Sequence, residues 1–235
     1  MTDVHGNAAA LRAVLDDIDA TSAEVERIYC LGDMIAIGPD TNEVLDLLVA
    51  RSDLSMLRGN HEDAVLRAID GQDPGTPGTE RLHHLWVARQ LRPDHAQILR
   101  HIPRALEPEY DGQRLLLVHY HLDSRGDFLP VDKEPTVQSL DALYRHSAAR
   151  AVCFGHHHPR HFFRSVHRVY VNPGALGCYH LPVARYAVLT CSRRGIAVEM
   201  KGVPYDNRDF LASYDRLAVP AGDFIVRTFH GGQKA

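Results

Sequence analysis

The sequence predicts a layered α/β fold in which short parallel strands alternate with helices. Short apolar runs alternate with amphipathic stretches that carry apolar residues at helical spacing, and this alternation is typical of parallel sheets. The first two apolar runs also end in tight polar turns, Gly32-Asp33 and Gly59-Asn60. A chain of 235 residues suits one core, because a single domain usually contains roughly 100–250 residues. We therefore predict one domain over residues 1–235.

The first elements follow directly from the spacing of apolar residues. A helix with one buried face is predicted over Ala8–Asp19, and a second helix over Asn42–Val49. Short strands are predicted over Arg27–Leu31 and Leu54–Leu57.

The segment Gly71–Thr79 is the clearest loop, because its three glycines and two prolines disfavour regular structure. It separates a helix over about His61–Ile69 from helices over about Glu80–Arg89 and Pro93–Ile102. We interpret residues 61–102 as a helical insertion or cap over one edge of the core.

The second half of the chain is richer in strands. Ala105–Tyr110 and Arg114–His119 predict a hairpin around the turn Asp111-Gly112, and a helix is expected near Val137–His146. The remaining predictions are strands over Ala151–Phe154, His161–Ser165, Arg168–Val171, Arg185–Thr190 and Gly195–Lys201, then helices over Asp209–Arg216 and Asp223–Phe229.

Composition excludes several classes of protein. Lys+Arg 26 against Asp+Glu 30 gives a net charge of −4, so no strong basic field indicates nucleic acid or an anionic membrane as partner. No apolar run approaches the roughly 18 residues of a spanning helix, and the N-terminus lacks the pattern of a signal peptide. The four cysteines lack C-x-x-C spacing, which favours free buried thiols in a reducing compartment. We expect a cytoplasmic protein, and its oligomeric state stays open.

Metal-type ligands follow the predicted core strands in five short clusters. These clusters are D-V-H (Asp3, His5), G-D (Asp33), G-N-H-E (Asn60, His61), V-H (His119) and G-H-H-H (His156, His158). Open α/β sheets bind substrates and cofactors outside the carboxyl ends of their strands, so we expect the clusters to converge there. Mixed oxygen and nitrogen donors suit Mn, Fe, Co, Ni or Zn. Seven candidates, with Asp33 counted twice, fit a centre of two metal ions.

Taken together, the clusters resemble the five motifs of calcineurin-like metallophosphoesterases: D-x-H, G-D, G-N-H-[DE], H and G-H-x-H. The resemblance extends from Asp3 to about Leu189. Gly32–Val44 and Val171–Gly177 are similar to the small bacterial and archaeal branch of phosphodiesterases, phosphatases and dinucleoside-polyphosphate hydrolases. The G-D-x-V-D-R-G of the protein Ser/Thr phosphatases is replaced by Gly32–Gly38. The family implies a layered β-sandwich flanked by helices.

The resemblance also implies a role for each matching residue. Asp3, His5 and His158 would hold one divalent ion, Asn60, His119 and His156 the other, and Asp33 would bridge them. Mn is the expected metal, with Fe, Co, Ni and Zn as alternatives. His61 would stabilise or protonate the leaving oxygen, and Asp3 would orient the side chain of His61.

The chain departs from many relatives after the fourth motif. Where they have glycine, this chain has Tyr120 and then His121; a bulky Tyr120 would narrow the site or stack on a base. His157 should point away from both metals, and Arg58 is either a phosphate contact or a solvated side chain. Most other histidines are expected at the surface or in packing contacts: His83, His84, His95, His101, His146, His167, His180 and His230.

We therefore predict a metal-dependent hydrolase of phosphodiesters, phosphomonoesters or nucleotides that uses a bridging hydroxide. Dinucleoside-polyphosphate hydrolysis is one alternative. A non-catalytic metal-binding scaffold with the same fold, such as a retromer subunit, is the other. The presence of His61 together with all seven ligands favours catalysis.

A ligand such as Asp3 belongs at the end of a central strand, yet only Met1 and Thr2 precede it. Four inward apolar residues of such a strand would contribute about 6–12 kcal/mol. A typical domain is stable by about 5–15 kcal/mol in total. We expect either that the natural protein begins upstream of Met1 or that this chain folds poorly.

Overall fold

Helices and short strands alternate in the first half of the chain, and strands dominate the second half. A computed structural model of the protein describes residues 1–21 and 25–233. The helices are α1 (Ala8–Ala20), α2 (Thr41–Val49), α3 (Asn60–Ile69), α4 (Gly78–Gln90), α5 (Pro93–His101), α6 (Val137–Leu143), α7 (Arg208–Arg216) and α8 (Gly222–Phe229). The strands are β1 (Ile28–Cys30), β2 (Leu54–Met56), β3 (Ala105–Leu106), β4 (Glu109–Tyr110), β5 (Gln113–Val118), β6 (Ala151–Cys153), β7 (His161–Arg164), β8 (Val169–Asn172), β9 (Val183–Ser192) and β10 (Gly195–Pro204).

The described strands form three sheets. β1 and β2 form a parallel pair, whereas β9 and β10 form a long antiparallel hairpin. The largest sheet has the order β3-β5-β6-β8-β7, with β4 also paired to β5. Within it, β5, β6 and β8 run parallel, so their carboxyl ends lie at one edge.

One apolar layer lies between the large sheet and the two smaller ones. Leu31 and Leu57 follow β1 and β2, and they share one cluster with Leu117 of β5, Val171 of β8 and Ile196 of β10. Helices α1 and α2 pack in a second cluster on the outer side of the smaller sheets. A third cluster joins α6 to the outer side of the large sheet. The predicted layered β-sandwich flanked by helices is therefore confirmed.

Most predicted elements are confirmed, and the differences have simple causes. The strands predicted over Arg185–Thr190 and Gly195–Lys201 extend as β9 and β10 from Val183 to Pro204, because backbone pairing continues beyond the apolar residues that pack in the sandwich. The helix predicted to His146 ends at Leu143, and turns follow it. Three of the four free cysteines are buried, as predicted.

The first three residues run beside β1. The amino group of Met1 donates to the carbonyl of Tyr29, and Leu31 donates back to the carbonyl of Met1. On the other side, Leu176 donates to the carbonyl of Thr2. A cavity of about 620 Å³ lies behind Met1 and is lined by residues from β1, β5 and β9. These contacts place Asp3 at the same sheet edge as Asp33.

Helices α3, α4 and α5 occupy the region predicted as an insertion or cap, and α3 packs on both of the others. The capping role stays a prediction. Among the described helices, none is both long and apolar enough to cross a lipid bilayer.

Candidate metal centre

The polar clusters that follow the strands meet at one edge of the sandwich. Asp33 lies three residues after β1, and Asn60 begins α3 shortly after β2. His119 directly follows β5, and His156 lies three residues after β6. Parallel strands bring these ends together, because their carboxyl ends lie on the same side of the sheet.

Several of these residues adopt a backbone conformation that side chains disfavour. Asp3, His5, Asp33 and His156 have φ values of 56°, 48°, 51° and 64°. Non-glycine residues with positive φ are uncommon, and they occur preferentially where function holds them. These four residues therefore mark the shared edge as a candidate functional site.

Asp3, His5 and His158 form the first group of donors. The Nε2 atoms of His5 and His158 lie 3.1 Å apart. The Oδ1 atom of Asp3 lies 3.7 Å from Nε2 of His5 and 3.9 Å from Nε2 of His158. The sulfur of Cys178, which the sequence did not indicate, lies within 4.8 Å of ring nitrogens of both histidines. Burial raises the pKa of the Cys178 thiol well above its ordinary value, so Cys178 stays protonated.

Asn60, His119 and His156 form the second group. The Oδ1 atom of Asn60 lies 3.0 Å from Nε2 of His119. Donor atoms of Asp33, His119 and His156 lie within 4.8 Å of one another. The Nδ1 atom of His119 donates to the carbonyl of Leu31 at 2.8 Å, which fixes the ring and turns Nε2 towards Asp33.

Asp33 lies between the two groups. Its Oδ2 atom is 3.2 Å from Nε2 of His119 and 4.0 Å from Nε2 of His5. Its Oδ1 atom accepts the backbone N–H of His61 at 3.0 Å. One carboxylate therefore faces donors from both groups.

Three of the four histidines in the donor groups are uncharged, as ligands of a divalent cation must be. Burial, together with neighbouring His158, lowers the pKa of His5 well below its ordinary value. Burial lowers the pKa of His156 to about 4 and that of His158 to about 3, so these imidazoles are neutral and keep a lone pair for a ligand bond.

The carboxylates behave differently from one another. Burial opposes ionisation of Asp33, yet the charge of His119 holds the pKa of Asp33 well below its usual range. Burial alone would lower the pKa of His119, but Asp33 raises it to about 9. Burial raises the pKa of Asp3 to about 6. A cation bound here would replace the proton of His119, because metal ligands must be deprotonated.

The spacing of the donors also suits metal ions. Ligand atoms about 2.0–2.2 Å from one ion are separated from each other by roughly 3–4 Å. The separations within each group, between 3.0 and 3.9 Å, fall in that range. The donors of both groups are therefore spaced as ligands of divalent ions would be, and Asp33 lies between the two groups.

His61 lies beside both groups, and its ring is held by another histidine. Its Nε2 atom is 3.9 Å from Oδ2 of Asp33, and its Nδ1 atom is 2.7 Å from Nε2 of His84 on α4. The expectation that Asp3 orients His61 is wrong. The carboxylate of Asp3 instead accepts from Thr2 and from the backbone N–H of His156.

Glu62 is a further residue whose role sequence reasoning missed. It is fully buried and accepts the backbone N–H groups of Gly59 (2.7 Å), Asp33 (2.9 Å) and Met34 (2.8 Å). It thereby fixes the turn that presents Asp33. Its position in G-N-H-E is visible in the sequence, but its hydrogen-bond partners are not.

Two polar side chains hold the last motif by donating to its backbone carbonyls. Asn172 donates to the carbonyl of His157 at 2.6 Å, and Arg185 donates to the carbonyl of His158 at 3.0 Å. Asn172 and Arg185 are both buried. Asn172 lies within the family-like segment Val171–Gly177, and that segment was the only sequence signal that pointed to it.

Two glycines allow the motifs to approach each other closely. A methyl group on Gly59 would overlap the carboxylate of Asp33, and one on Gly155 would overlap Thr2 and Asp3. These contacts explain why glycine flanks the ligands in the sequence.

The residues that depart from the family pattern lie behind the site. Tyr120 is 2% exposed, so it neither narrows the site nor stacks on a substrate base. Its ring packs on that of His156 with centroids 5.0 Å apart. His121 is buried and its Nδ1 atom lies 2.8 Å from the hydroxyl of Tyr144. Tyr120 therefore supports the ring of His156, and His121 packs on Tyr120 with ring centroids 4.4 Å apart.

His157 and Arg58 are both engaged away from the donor groups. The Nδ1 atom of His157 lies 2.8 Å from Nε2 of His161, as expected for a side chain that points away from the metals. Arg58 pairs with Asp63, with Nε 3.1 Å from Oδ1.

Comparison with known proteins gives a family match over most of the chain. Residues 1–194 match the model of the calcineurin-like phosphoesterase superfamily domain. The symmetrical bis(5'-nucleosyl)-tetraphosphatase of Paracidovorax citrulli is 34% identical over 123 residues, which are 50% of this chain and 41% of that protein. The chain spans less than half the length of the curated relatives it matches, 47% and 41%.

Solved structures share the fold over nearly the whole chain. A hypothetical protein from Pyrococcus horikoshii superposes with a TM-score of 0.81 at 18% identity, covering 100% of this chain and 98% of that one. A metallophosphoesterase from Sphaerobacter thermophilus gives a TM-score of 0.71 at 22% identity, covering 97% and 96%.

Proposed function

The chain belongs to the calcineurin-like phosphoesterase superfamily, and from this premise we propose that it hydrolyses a small phosphorylated substrate at two divalent metal ions. It is thus a metallophosphoesterase, and the matching region contains every residue of both donor groups. The proposed ligands are those that the motifs indicate: Asp3, His5 and His158 for one ion, Asn60, His119 and His156 for the other, and Asp33 for both.

The position of Asp33 carries this proposal. Its carboxylate lies within 4.0 Å of Nε2 of both His5 and His119, which belong to different donor groups. A structural site for one ion would have no use for a second group of donors on the other side of the shared carboxylate. Two ions held by these residues would lower the pKa of a bound water and would neutralise the oxygens of a phosphoryl group.

His61 supplies the proton-transfer group. Its Nε2 atom faces the donor groups at 3.9 Å from Asp33, and its side chain is 12% exposed. An imidazolium there donates its proton to the departing oxygen, which contributes typically 10²–10⁴-fold to the rate. The proton moves from Nε2 of His61 to the leaving oxygen as the bond between phosphorus and that oxygen breaks.

The preferred substrate is a phosphate ester, with Mn²⁺ as the favoured metal and Fe, Co, Ni and Zn as alternatives. Hydrolysis of a dinucleoside polyphosphate is the second candidate. It is supported by the 34% identity to the tetraphosphatase of P. citrulli over half of this chain. Buried free cysteines support a reducing compartment such as the cytoplasm.

The proposal is tested with purified full-length protein loaded with each metal. Metal content is measured by mass spectrometry, and turnover is measured on bis-p-nitrophenyl phosphate, p-nitrophenyl phosphate and diadenosine tetraphosphate. We expect about two ions per chain and turnover of at least one substrate. A folded protein that binds no metal and turns over none of the three would support the scaffold alternative instead.

A further inference from the structure

The ring of His61 is held by a histidine from the inserted helices. His84 lies on α4, and its Nε2 atom is 2.7 Å from Nδ1 of His61. The two ring centroids are 4.9 Å apart and their planes are inclined at 58°, which suits an in-plane hydrogen bond better than stacking. His84 is therefore bonded to the one ring nitrogen of His61 that faces away from Asp33.

The hydrogen bonds continue on the far side of His84. Its Nδ1 atom lies 2.9 Å from the hydroxyl of Thr76, in the loop that precedes α4. The His84 side chain is 0% exposed, and burial lowers its pKa to about 3, so the ring is neutral. A neutral imidazole has one donor and one acceptor nitrogen, and each faces one partner here.

We propose that His84 is a positioning residue that holds His61 in the orientation needed for proton transfer to the leaving group. In this arrangement Nδ1–H of His84 donates to Thr76, and Nδ1–H of His61 donates to Nε2 of His84. The Nε2 atom of His61 then faces the substrate side. His84 keeps its own proton throughout, because the transferred proton comes from Nε2 of His61.

Packing alone does not account for this arrangement. The neighbouring His83 is also buried on α4, but it stacks on Trp86 with ring centroids 5.7 Å apart. Neither ring nitrogen of His83 has a hydrogen-bond partner among the described residues, so His83 provides a matched control on the same helix. A second alternative is an additional metal site, because donor atoms of His61, Glu80 and His84 lie within 4.8 Å of one another.

The inference rests on the proposed role of His61, and it gives the inserted region a part in the chemistry. A small misorientation of a proton donor can cost up to about 10²-fold in rate. This cost grows as the leaving oxygen becomes more basic, because a good leaving group departs without a proton. The dependence of kcat on the basicity of the leaving group therefore distinguishes a positioning role of His84 from a loss of packing.

The experiment uses the metal-loaded full chain and methyl aryl phosphate diesters whose leaving groups range from 2,4-dinitrophenol to phenol. His84→Ala should lower kcat about 10-fold for the phenyl ester and less than about 3-fold for the dinitrophenyl ester. KM and metal content should stay unchanged. His84→Gln, which keeps an acceptor oxygen, should recover most of the lost rate, and His83→Gln should not change the leaving-group dependence.

The double variant completes the test. In a His61→Ala background, His84→Ala should cause no further change in leaving-group dependence, because it acts only through His61. If His61→Ala steepens the dependence but His84→Ala does not, only the inference fails. If His61→Ala itself leaves the dependence unchanged, the acid role of His61 fails and the inference fails with it. Loss of bound metal in His84→Ala would instead assign His84 and Glu80 to a metal site.

Discussion

The carboxylate of Glu62 accepts the backbone N–H of Asp33 at 2.9 Å, so a buried acid holds the turn that carries the proposed bridging ligand. The same carboxylate binds the N–H groups of Gly59 and Met34. One side chain thus fixes the G-D and G-N-H-E motifs against each other. Burial, with repulsion from Asp33, raises the pKa of Glu62 to about 7.

Replacement of Glu62 should therefore damage both stability and metal binding. Glu62→Ala leaves several buried N–H groups without an acceptor, and we expect a loss of about 3–5 kcal/mol in the free energy of unfolding. Glu62→Gln keeps one carbonyl oxygen and should lose less. Urea unfolding and metal analysis of both variants check this. Equal stability of Glu62→Ala and the natural chain would show that the turn is held by other contacts.

Asp33→Ala should abolish metal content and activity together, because both donor groups share this carboxylate. Metal content is measured by mass spectrometry, and activity on the substrates that the natural chain turns over. Asp19→Ala is a suitable control, because Asp19 is exposed and pairs with Arg51 and not with a donor residue. Retention of two ions in Asp33→Ala would contradict the bridging role.

His61→Ala should keep the metals but slow the hydrolysis of esters by about 10²–10⁴-fold. The loss should be smaller for diadenosine tetraphosphate, because a phosphate leaving group needs less help from a proton donor. Steady-state kinetics on both substrate types, with metal content determined in parallel, test this difference. Equal loss of metal in His61→Ala and Asp33→Ala would remove the proposed division of roles.

Asp40, which precedes α2, should make stability depend on pH. Burial raises the pKa of this half-buried carboxyl from 3.8 to about 6. The folded state therefore binds more protons than the unfolded state between these values, so stability falls as pH rises from about 4 to about 6. Asp40→Asn should be more stable than the natural chain by about 1–2 kcal/mol at pH 7, a value discounted for solvent screening.

The difference in unfolding free energy between the natural chain and Asp40→Asn isolates the ionisation of Asp40 from that of all other groups. Urea unfolding at pH 4 and at pH 7 provides the measurement. The two stabilities should approach each other at pH 4, where Asp40 is protonated in the folded state and its unfolded-state carboxyl nears its ordinary pKa of 3.8. If the difference in the free energy of unfolding is the same at pH 4 and at pH 7, the effect comes from the asparagine amide and not from the ionisation of Asp40.

Sequence reasoning located the secondary structure and the clusters of candidate donors because both depend on local patterns. Apolar spacing located α1 and β1 to within a residue or two, and each donor followed an apolar run. Parallel strands then require the residues after them to meet, which is how Asn60 and His119 were expected together.

The partners of the donors were not predictable for a physical reason. His84 is separated from His61 by a loop and part of a helix, and its contact depends on how α4 packs on α3. Glu62 acts through backbone N–H groups, which every residue possesses and no sequence pattern marks. Tyr120 was expected beside the substrate, but the direction of its side chain depends on the packing of the large sheet.

The left-handed backbone of the donor residues has a consequence for protein engineering. Asp3, His5, Asp33 and His156 each carry a positive φ, at a cost on the order of 1 kcal/mol per residue. Glycine would relieve that cost at each position but would remove the donor atom. Selection for thermal stability without selection for turnover would therefore favour glycine at these four positions, so stability and activity conflict most directly at the metal centre.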